Sequence, residues 1–180
     1  IMDALELTKV HWCGLSMGGM VGQWLAANAP ARVDHLILSN TTAYPNRAAM
    51  EDRIQAVRAG GIEAIIDRVM EGWFTADFRE HHAMTVAWVR DMVLATPRQG
   101  YIANCEAIRE IDLRDSLARI SHPTLVIAGR YDPGISIEAA DFLRRNIAKA
   151  SLTILDAAHL SNVEQADAYT DLVLGFLTGR

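Results

Sequence analysis

One five-residue segment constrains the fold of this chain more than any other. Residues 14–18, GLSMG, follow a short apolar run and open a stretch with helical spacing. A serine between two glycines at a strand-to-helix junction is typical of a sharp turn that presents its hydroxyl above the carboxyl end of a sheet. Glycines lack the Cβ atoms that would collide with the neighbouring strand and helix, and Gly19 adds to this relief. The segment therefore predicts that Ser16 is a nucleophile at the end of a strand.

Apolar runs alternate with amphipathic stretches along the rest of the chain. Runs rich in apolar or β-branched residues predict strands at 10–13, 33–39, 124–128 and 152–155. Helical spacing predicts helices over 17–28, 137–147 and 164–177. The first of these helices is expected to present one apolar face made of Met20, Val21, Trp24 and Leu25. This order predicts an α/β fold with a mostly parallel sheet and right-handed crossover helices.

A long insertion separates the second and third predicted strands. Its apolar residues recur at helical spacing, and structureless connections longer than about 12–15 residues are uncommon. The apolar residues that show this spacing are Ile54, Val57, Ile62, Ile65, Ile66, Val69 and Met70. We therefore expect a core formed by residues 1–43 and 123–180, and a helical cap at 44–122 that roofs the active site.

Composition and charge limit the classes of partner. The formal net charge is −5 and the basic residues are scattered, so no nucleic-acid partner is expected. No apolar run reaches the roughly 20 residues that span a bilayer, and no secretory leader opens the chain, so no membrane partner and a cytoplasmic location are expected. Cys13 and Cys105 have neither metal-ligand nor disulfide spacing, and both are expected to be buried, reduced thiols.

A serine hydroxyl needs a base to become a nucleophile and a third group to orient that base. Among the histidines, His159 directly follows the last predicted strand, which is the position expected in the chain order Ser, Asp, His. The remaining histidines are expected to be packed or solvated side chains. They are His11, His35, His81, His82 and His122.

The acid is expected to follow the third predicted strand. Asp132 would accept the Nδ1–H of His159 and stabilise the imidazolium that forms when Ser16 attacks. The alternative is an aspartate that only starts a turn before Pro133. Asp156 is nearer to His159 in sequence and is a second candidate, although it is expected to end the strand. The backbone N–H of Met17, at a helix N-terminus, is expected to bind the oxyanion.

Four segments together resemble one enzyme family. They are residues 13–20 (CGLSMGGM), 53–61 (RIQAVRAGG), 73–75 (WFT) and 156–165 (DAAHLSNVEQ). The chain is similar in these segments to the 3-oxoadipate enol-lactonases, α/β-hydrolases of the protocatechuate branch of aromatic catabolism. The serine and acid segments would fit many α/β-hydrolases, whereas the cap segments and the AAHLSNVEQ run are more particular to these lactonases.

The resemblance implies an activity, a substrate and its contacts. It implies a serine hydrolase that opens the ring ester of 3-oxoadipate enol-lactone to give 3-oxoadipate, with no cofactor and no metal. The partner is then a small-molecule lactone. Its free carboxylate would be contacted from the cap, where Arg53, Arg58 and Trp73 are the candidates.

The chain departs from the resemblance at its start. The family's amino-terminal strands, and the loop expected to supply a second oxyanion donor, are absent from a sequence that begins with Ile1. We therefore expect a piece of a longer chain with the N-terminal part of the fold missing. The DPGI sequence at 132–135 is also less typical of the family.

Other functions remain open. An esterase, a carbon–carbon bond hydrolase or a cofactor-free haloperoxidase could use the same triad. Outside enzymes, the alternative is a hydrolase-like binding protein or an inert hydrolase-like fragment. Haloalkane dehalogenases are disfavoured, because they would need an aspartate in place of Ser16. The sequence makes no prediction of the oligomeric state.

Overall fold

The computed structural model of the chain describes residues 1–179. Arg180, the last residue of the predicted core segment 123–180, lies outside the described part. The chain divides into two compact units, one formed by residues 1–43 and from 113 onward, the other by Tyr44–Asp112. The second unit ends before the predicted cap boundary at residue 122. Residues 113–122 belong with the first unit because Leu117 and Ile120 are fully buried in its core.

The described elements follow one another in an alternating order. The strands are β1 (Val10–Leu15), β2 (Val33–Ser39), β3 (Thr124–Gly129) and β4 (Ala150–Leu155). The α-helices are α1 (Met17–Asn28), α2 (Arg47–Gly60), α3 (Ile66–Trp73), α4 (Ala76–His81), α5 (Ala83–Leu94), α6 (Arg98–Glu110), α7 (Ile137–Asn146), α8 (Ser161–Glu164) and α9 (Ala166–Thr178). Short 3-10 turns lie at Asp3–Leu5, Pro30–Arg32, Ile62–Ala64 and Arg114–Arg119.

The four strands form one parallel sheet whose spatial order follows the chain order, β1-β2-β3-β4. All four predicted strands are confirmed, and three of them extend one or two residues beyond the predicted ends. Helix α1 has the predicted bounds. The predicted helix at 164–177 instead starts at Ala166, after the separate short helix α8.

Neighbouring residues of β2 build two different cores because side chains alternate along a strand. Leu36 and Leu38 face a cluster that contains buried residues of α1 and α7. Ile37 faces the opposite cluster, against which α9 packs through Leu172 and Phe176. Helices α1 and α7 each connect neighbouring parallel strands and cover one face of the sheet, as expected when successive crossovers have the same hand. Helix α9 follows the last described strand and covers the other face.

The predicted apolar face of α1 is partly wrong. Met20 is buried, but Val21 and Trp24 are 44% and 55% exposed. The helix turns smaller residues toward the sheet, because a Cβ on Gly22 would lie 2.5 Å from the indole ring of Trp12. Close approach of helix and strand therefore decides which side faces inward, and hydrophobicity alone does not.

The second unit, Tyr44–Asp112, consists of helices α2 to α6 and the turn at Ile62–Ala64. Helix α2 packs on α6 and α3 packs on α5. Every apolar residue whose spacing predicted helices here is buried, so the helical nature of the insertion is confirmed.

Both cysteines are free thiols, and they differ in burial. Cys105 is buried as expected, whereas Cys13 is exposed on β1, at the edge of the described sheet. Among residues 1–179, no helix is both long enough and apolar enough to cross a bilayer.

Candidate active site

The turn between β1 and α1 is strained at the predicted nucleophile. Ser16 has φ 53° and ψ −117°, a conformation that a residue with a side chain adopts at a cost of about 1–3 kcal/mol. A Cβ on Gly14 would lie 2.2 Å from the Gly18 carbonyl oxygen, and one on Gly19 would lie 2.6 Å from Thr41. The predicted steric role is therefore confirmed for these two glycines. It is wrong for Gly18, where an added Cβ would meet nothing among the described residues.

Backbone contacts hold the serine at the carboxyl end of the sheet. The Ser16 N–H donates to the Ser39 carbonyl oxygen at 2.9 Å, and the Thr41 hydroxyl donates to the Ser16 carbonyl oxygen at 2.7 Å. Ser16 occupies the N-cap position of α1, yet its side chain makes no cap hydrogen bond. Met17 is the first residue of α1, and N–H groups of a first helical turn have no carbonyl partner within the helix. The hydroxyl and the Met17 N–H are thus the groups that this turn offers for chemistry.

Asp132 follows β3, and its two carboxylate oxygens have different partners. Oδ1 accepts hydrogen bonds from the backbone N–H groups of Gly134 and Ile135 at 2.9 and 3.0 Å. Oδ2 lies 2.7 Å from His159 Nδ1 and accepts from Asn40 Nδ2 at 3.0 Å. The aspartate therefore starts a turn and contacts the histidine at once, so the two predicted readings of Asp132 are compatible.

The surroundings of Asp132 favour its ionised form. Its side chain is 1% exposed, and burial by itself would raise the pKa of Asp132. The hydrogen bond and charge of His159, with the donors on Asn40 and Gly134, outweigh burial and hold the pKa of this carboxyl below its usual value. An ionised carboxylate accepts hydrogen bonds only, so His159 Nδ1 carries the hydrogen and Nε2 is the basic nitrogen.

The segment that carries His159 lies across the ends of neighbouring strands. The Tyr131 N–H donates to the Ala157 carbonyl oxygen at 3.0 Å, and Asn40 Nδ2 donates to that of Ala158 at 3.2 Å. This approach requires glycine at position 129, because a Cβ there would lie 2.2 Å from the Ala158 oxygen. The segment thus reaches from the end of β4, past β3, to the end of β2, which is the neighbour of β1.

Asn40 and Ser161 belong to this arrangement, and sequence reasoning missed both. Asn40 is 1% exposed and has φ 43°, a left-handed conformation that asparagine tolerates better than most residues. Its amide nitrogen holds Asp132, and its amide oxygen accepts a hydrogen bond from the Ser161 hydroxyl at 2.6 Å. A polar residue directly after a buried strand was the signal that could have identified Asn40.

The competing acid and the remaining histidines have other partners. Asp156 forms an ion pair with Arg130. His122 contacts the Pro30 carbonyl oxygen, and His81 contacts that of Asp77. His82 stacks on Phe78, while His11 and His35 lie beside Asp34.

The predicted substrate contacts all lie in the second unit. Arg58 forms an ion pair with Glu106 at 2.6 Å. Burial raises the pKa of Tyr101, and the neighbouring charge of Arg53 opposes that rise. Trp73 is half-buried at the end of α3. Contacts of these residues with a substrate stay predictions.

Comparisons with known proteins agree with this geometry. The profile of the alpha/beta hydrolase fold matches residues 1–166. A 3-oxoadipate enol-lactonase of Acinetobacter baylyi is 38% identical over 96% of this chain, which spans 65% of that relative's length. An enol-lactonase structure from Burkholderia xenovorans LB400 superposes with a TM-score of 0.96 at 40% identity, covering 98% of this chain and 68% of that one.

A more distant relative has a different activity in its name. A putative carbamate hydrolase of Agrobacterium fabrum is 26% identical over 98% of this chain and 70% of its own length. The parallel sheet, the strained serine turn and the profile match agree, and the chain belongs to the α/β-hydrolase fold family.

Proposed function

We propose that this chain carries a Ser16–His159–Asp132 triad and hydrolyses the ring ester of 3-oxoadipate enol-lactone to 3-oxoadipate. The observation that carries the proposal is the 2.7 Å contact between His159 Nδ1 and the buried carboxylate of Asp132. This contact lies at the carboxyl ends of the parallel strands, where the strained turn of Ser16 ends β1. Nucleophilic acyl transfer needs an oriented imidazole at the same end of the sheet as a serine hydroxyl that makes no helix-cap hydrogen bond.

In the first half of the reaction, Ser16 Oγ forms a bond to the lactone carbonyl carbon and His159 Nε2 takes the hydroxyl proton. The Met17 N–H stabilises the negative charge that develops on the carbonyl oxygen. Asp132 stabilises the imidazolium through the Nδ1–H hydrogen bond. Collapse of the intermediate breaks the ring C–O bond, and the enol oxygen leaves with the proton from His159.

In the second half, water replaces the serine. His159 takes a proton from a water molecule whose oxygen attacks the acyl carbon, and collapse returns that proton to Ser16 Oγ. The product carries a new carboxylate, and its enol rearranges to the ketone. One water is consumed for each ring opened, and no cofactor takes part in the proposed steps.

The choice of substrate rests on the relatives and on the cap. A sequence comparison and a structural comparison both match enol-lactonases over nearly the whole chain. The substrate carries a free carboxylate, and Arg53 is proposed as its main partner. Arg58 already pairs with Glu106, so its guanidinium is partly neutralised. We expect Arg53→Met to raise KM more than Arg58→Met does, because Arg53 contacts the neutral phenol of Tyr101, which does not neutralise its charge as a carboxylate does.

Labelling with a fluorophosphonate tests the triad. The reagent reacts preferentially with an activated serine, and mass spectrometry locates the modified residue. We expect modification at Ser16 in the wild-type chain, no modification in Ser16→Ala, and slow modification in His159→Ala. His81→Ala is the matched control and should react like the wild type, since His81 contacts Asp77 in the other unit. Absence of label at Ser16 would favour the inert-fragment alternative.

A substrate panel tests the lactonase assignment separately. The same preparation is assayed with the enol-lactone, simple aryl esters, a vinylogous diketone and a carbamate. We expect the highest kcat/KM for the enol-lactone. Labelling at Ser16 combined with a preference for another substrate would retain the serine hydrolase and refute the lactonase.

A further inference from the structure

A second group of chemically competent side chains lies at the amino-terminal end of the sheet. His11 of β1 and the adjacent Asp34 and His35 of β2 bring three ligand atoms within 4.8 Å of one another. Asp34 Oδ2 lies 3.6 Å from His11 Nδ1 and 3.2 Å from His35 Nδ1. All three side chains are accessible from solvent.

An irregularity in strand pairing creates this cluster. Val10 pairs with Val33, but Trp12 pairs with Leu36, so β2 has one more residue than β1 over this stretch. In regular strands, two consecutive residues point to opposite faces. The extra residue lets both Asp34 and His35 lie against His11, which a regular register would prevent.

We propose that His11, Asp34 and His35 bind a divalent metal ion, and Zn²⁺ is the expected ion. Imidazole nitrogen and carboxylate oxygen are ordinary zinc ligands at about 2.0–2.2 Å, so two ligands of a tetrahedral ion lie about 3.3–3.5 Å apart. The two measured distances bracket this separation. Three protein ligands leave one position of the ion for water or another ligand.

Neighbouring groups contact two of the three side chains and restrict their orientation. Lys9 Nζ contacts the other carboxylate oxygen, Asp34 Oδ1, at 2.6 Å and leaves Oδ2 to the histidines. The ring of Phe176 packs edge-on against His35, with centroids 5.5 Å apart, and limits how that imidazole can rotate.

The proposed site is separate from the triad. His11 precedes Ser16 by five residues along β1, which corresponds to about 16 Å of strand. An ion here would fasten β1 to β2 and take no part in hydrolysis. Because it would bind the folded chain through residues of two strands, Zn²⁺ should also raise the temperature of unfolding.

Calorimetric titration of the metal-free chain with Zn²⁺ tests the proposal. We expect one equivalent to bind and the melting temperature to rise with Zn²⁺ concentration. His11→Ala and His35→Ala should each weaken binding at least tenfold, because loss of even a residue that only supports a metal ligand costs about 10–100-fold. His81→Ala should bind like the wild type, as should His159→Ala, which excludes an ion at the triad.

Two further measurements guard against misfolded variants. Asp34→Asn keeps the shape of the side chain and removes its charge, so it should fold and bind Zn²⁺ more weakly than the wild type. Co²⁺ added to the wild-type chain should give the intense visible absorption of a four-coordinate ion. No binding by the wild type, unchanged affinity in His11→Ala or His35→Ala, or only the weak bands of a six-coordinate Co²⁺ would each overturn the proposal.

Discussion

Replacing Asn40 by alanine tests whether a residue outside the triad holds its acid in place. Asn40 Nδ2 donates to Asp132 Oδ2 and to the Ala158 carbonyl oxygen, and its Oδ1 accepts from the Ser161 hydroxyl. The substitution removes all three hydrogen bonds. It also leaves the fully buried Ser161 hydroxyl and the buried carbonyl of Ala158 without this partner.

The expected cost follows from these contacts. A buried polar group that loses its partner costs about 1–3 kcal/mol, and alanine at the φ of 43° costs about 1 kcal/mol more. With two such groups and the backbone cost added, the free energy of unfolding should fall by about 3–7 kcal/mol in Asn40→Ala. Asn40→Gly should recover about 1 kcal/mol of this, since glycine adopts the left-handed conformation readily.

The catalytic effect has a separate origin. A hydrogen bond to a charged group contributes about 1.5–3 kcal/mol. Its loss from Asp132 should lower kcat about 10–100-fold, with little change in KM, because the substrate does not touch Asn40 in the proposed mechanism.

Urea unfolding and steady-state hydrolysis measure the two effects on the same preparations. Asn28→Ala is the matched control, since Asn28 is exposed near the end of α1, and it should leave kcat unchanged. A folded Asn40→Ala with kcat within twofold of the wild type would refute the positioning role and leave Asn40 a structural residue only.

Two further predictions concern residues at the same carboxyl end of the sheet. Gly129→Ala should lower kcat/KM and the rate of fluorophosphonate labelling, because the added Cβ would collide with the Ala158 carbonyl oxygen. Gly134→Ala is the control and should have a mild effect, since the nearest atom to its added Cβ is 3.5 Å away. Equal effects of the two substitutions would contradict the steric argument. The depressed pKa of Asp132 gives stability that is present above its ordinary value of 3.8 and is lost as the pH falls below it. Urea midpoints at about pH 7 and about pH 3 should therefore show a larger deficit of Asp132→Asn relative to the wild type at the higher pH, and a pH-independent deficit would refute the linkage.

Much of this fold follows from local patterns along the chain. The bounds of α1 and β2, the helical nature of the insertion and the identity of the three triad candidates were all predicted from spacing and from position at strand ends. These features are local. A strand and a helix each produce a periodic pattern of apolar residues, and a tight turn requires glycines, within a few neighbouring residues. Spacing also placed Asp132 and His159 at one edge, and the structure confirms their contact.

Other features depend on residues that are distant in sequence. Asn40 contacts Asp132 and Ser161 across about half the chain or more. The small residues of α1 face the sheet because the backbone of this helix approaches Trp12 closely. Counting large apolar residues on each side of the helix does not reveal this. The extra residue of β2 beside His11 exists only in the pairing of two strands. By itself, the sequence determined most of the elements and the candidate residues at their ends. Only the tertiary structure decided which polar side chains meet. Strand register and packing distance arise from pairing between segments, and they produce no periodic pattern in the sequence of either segment.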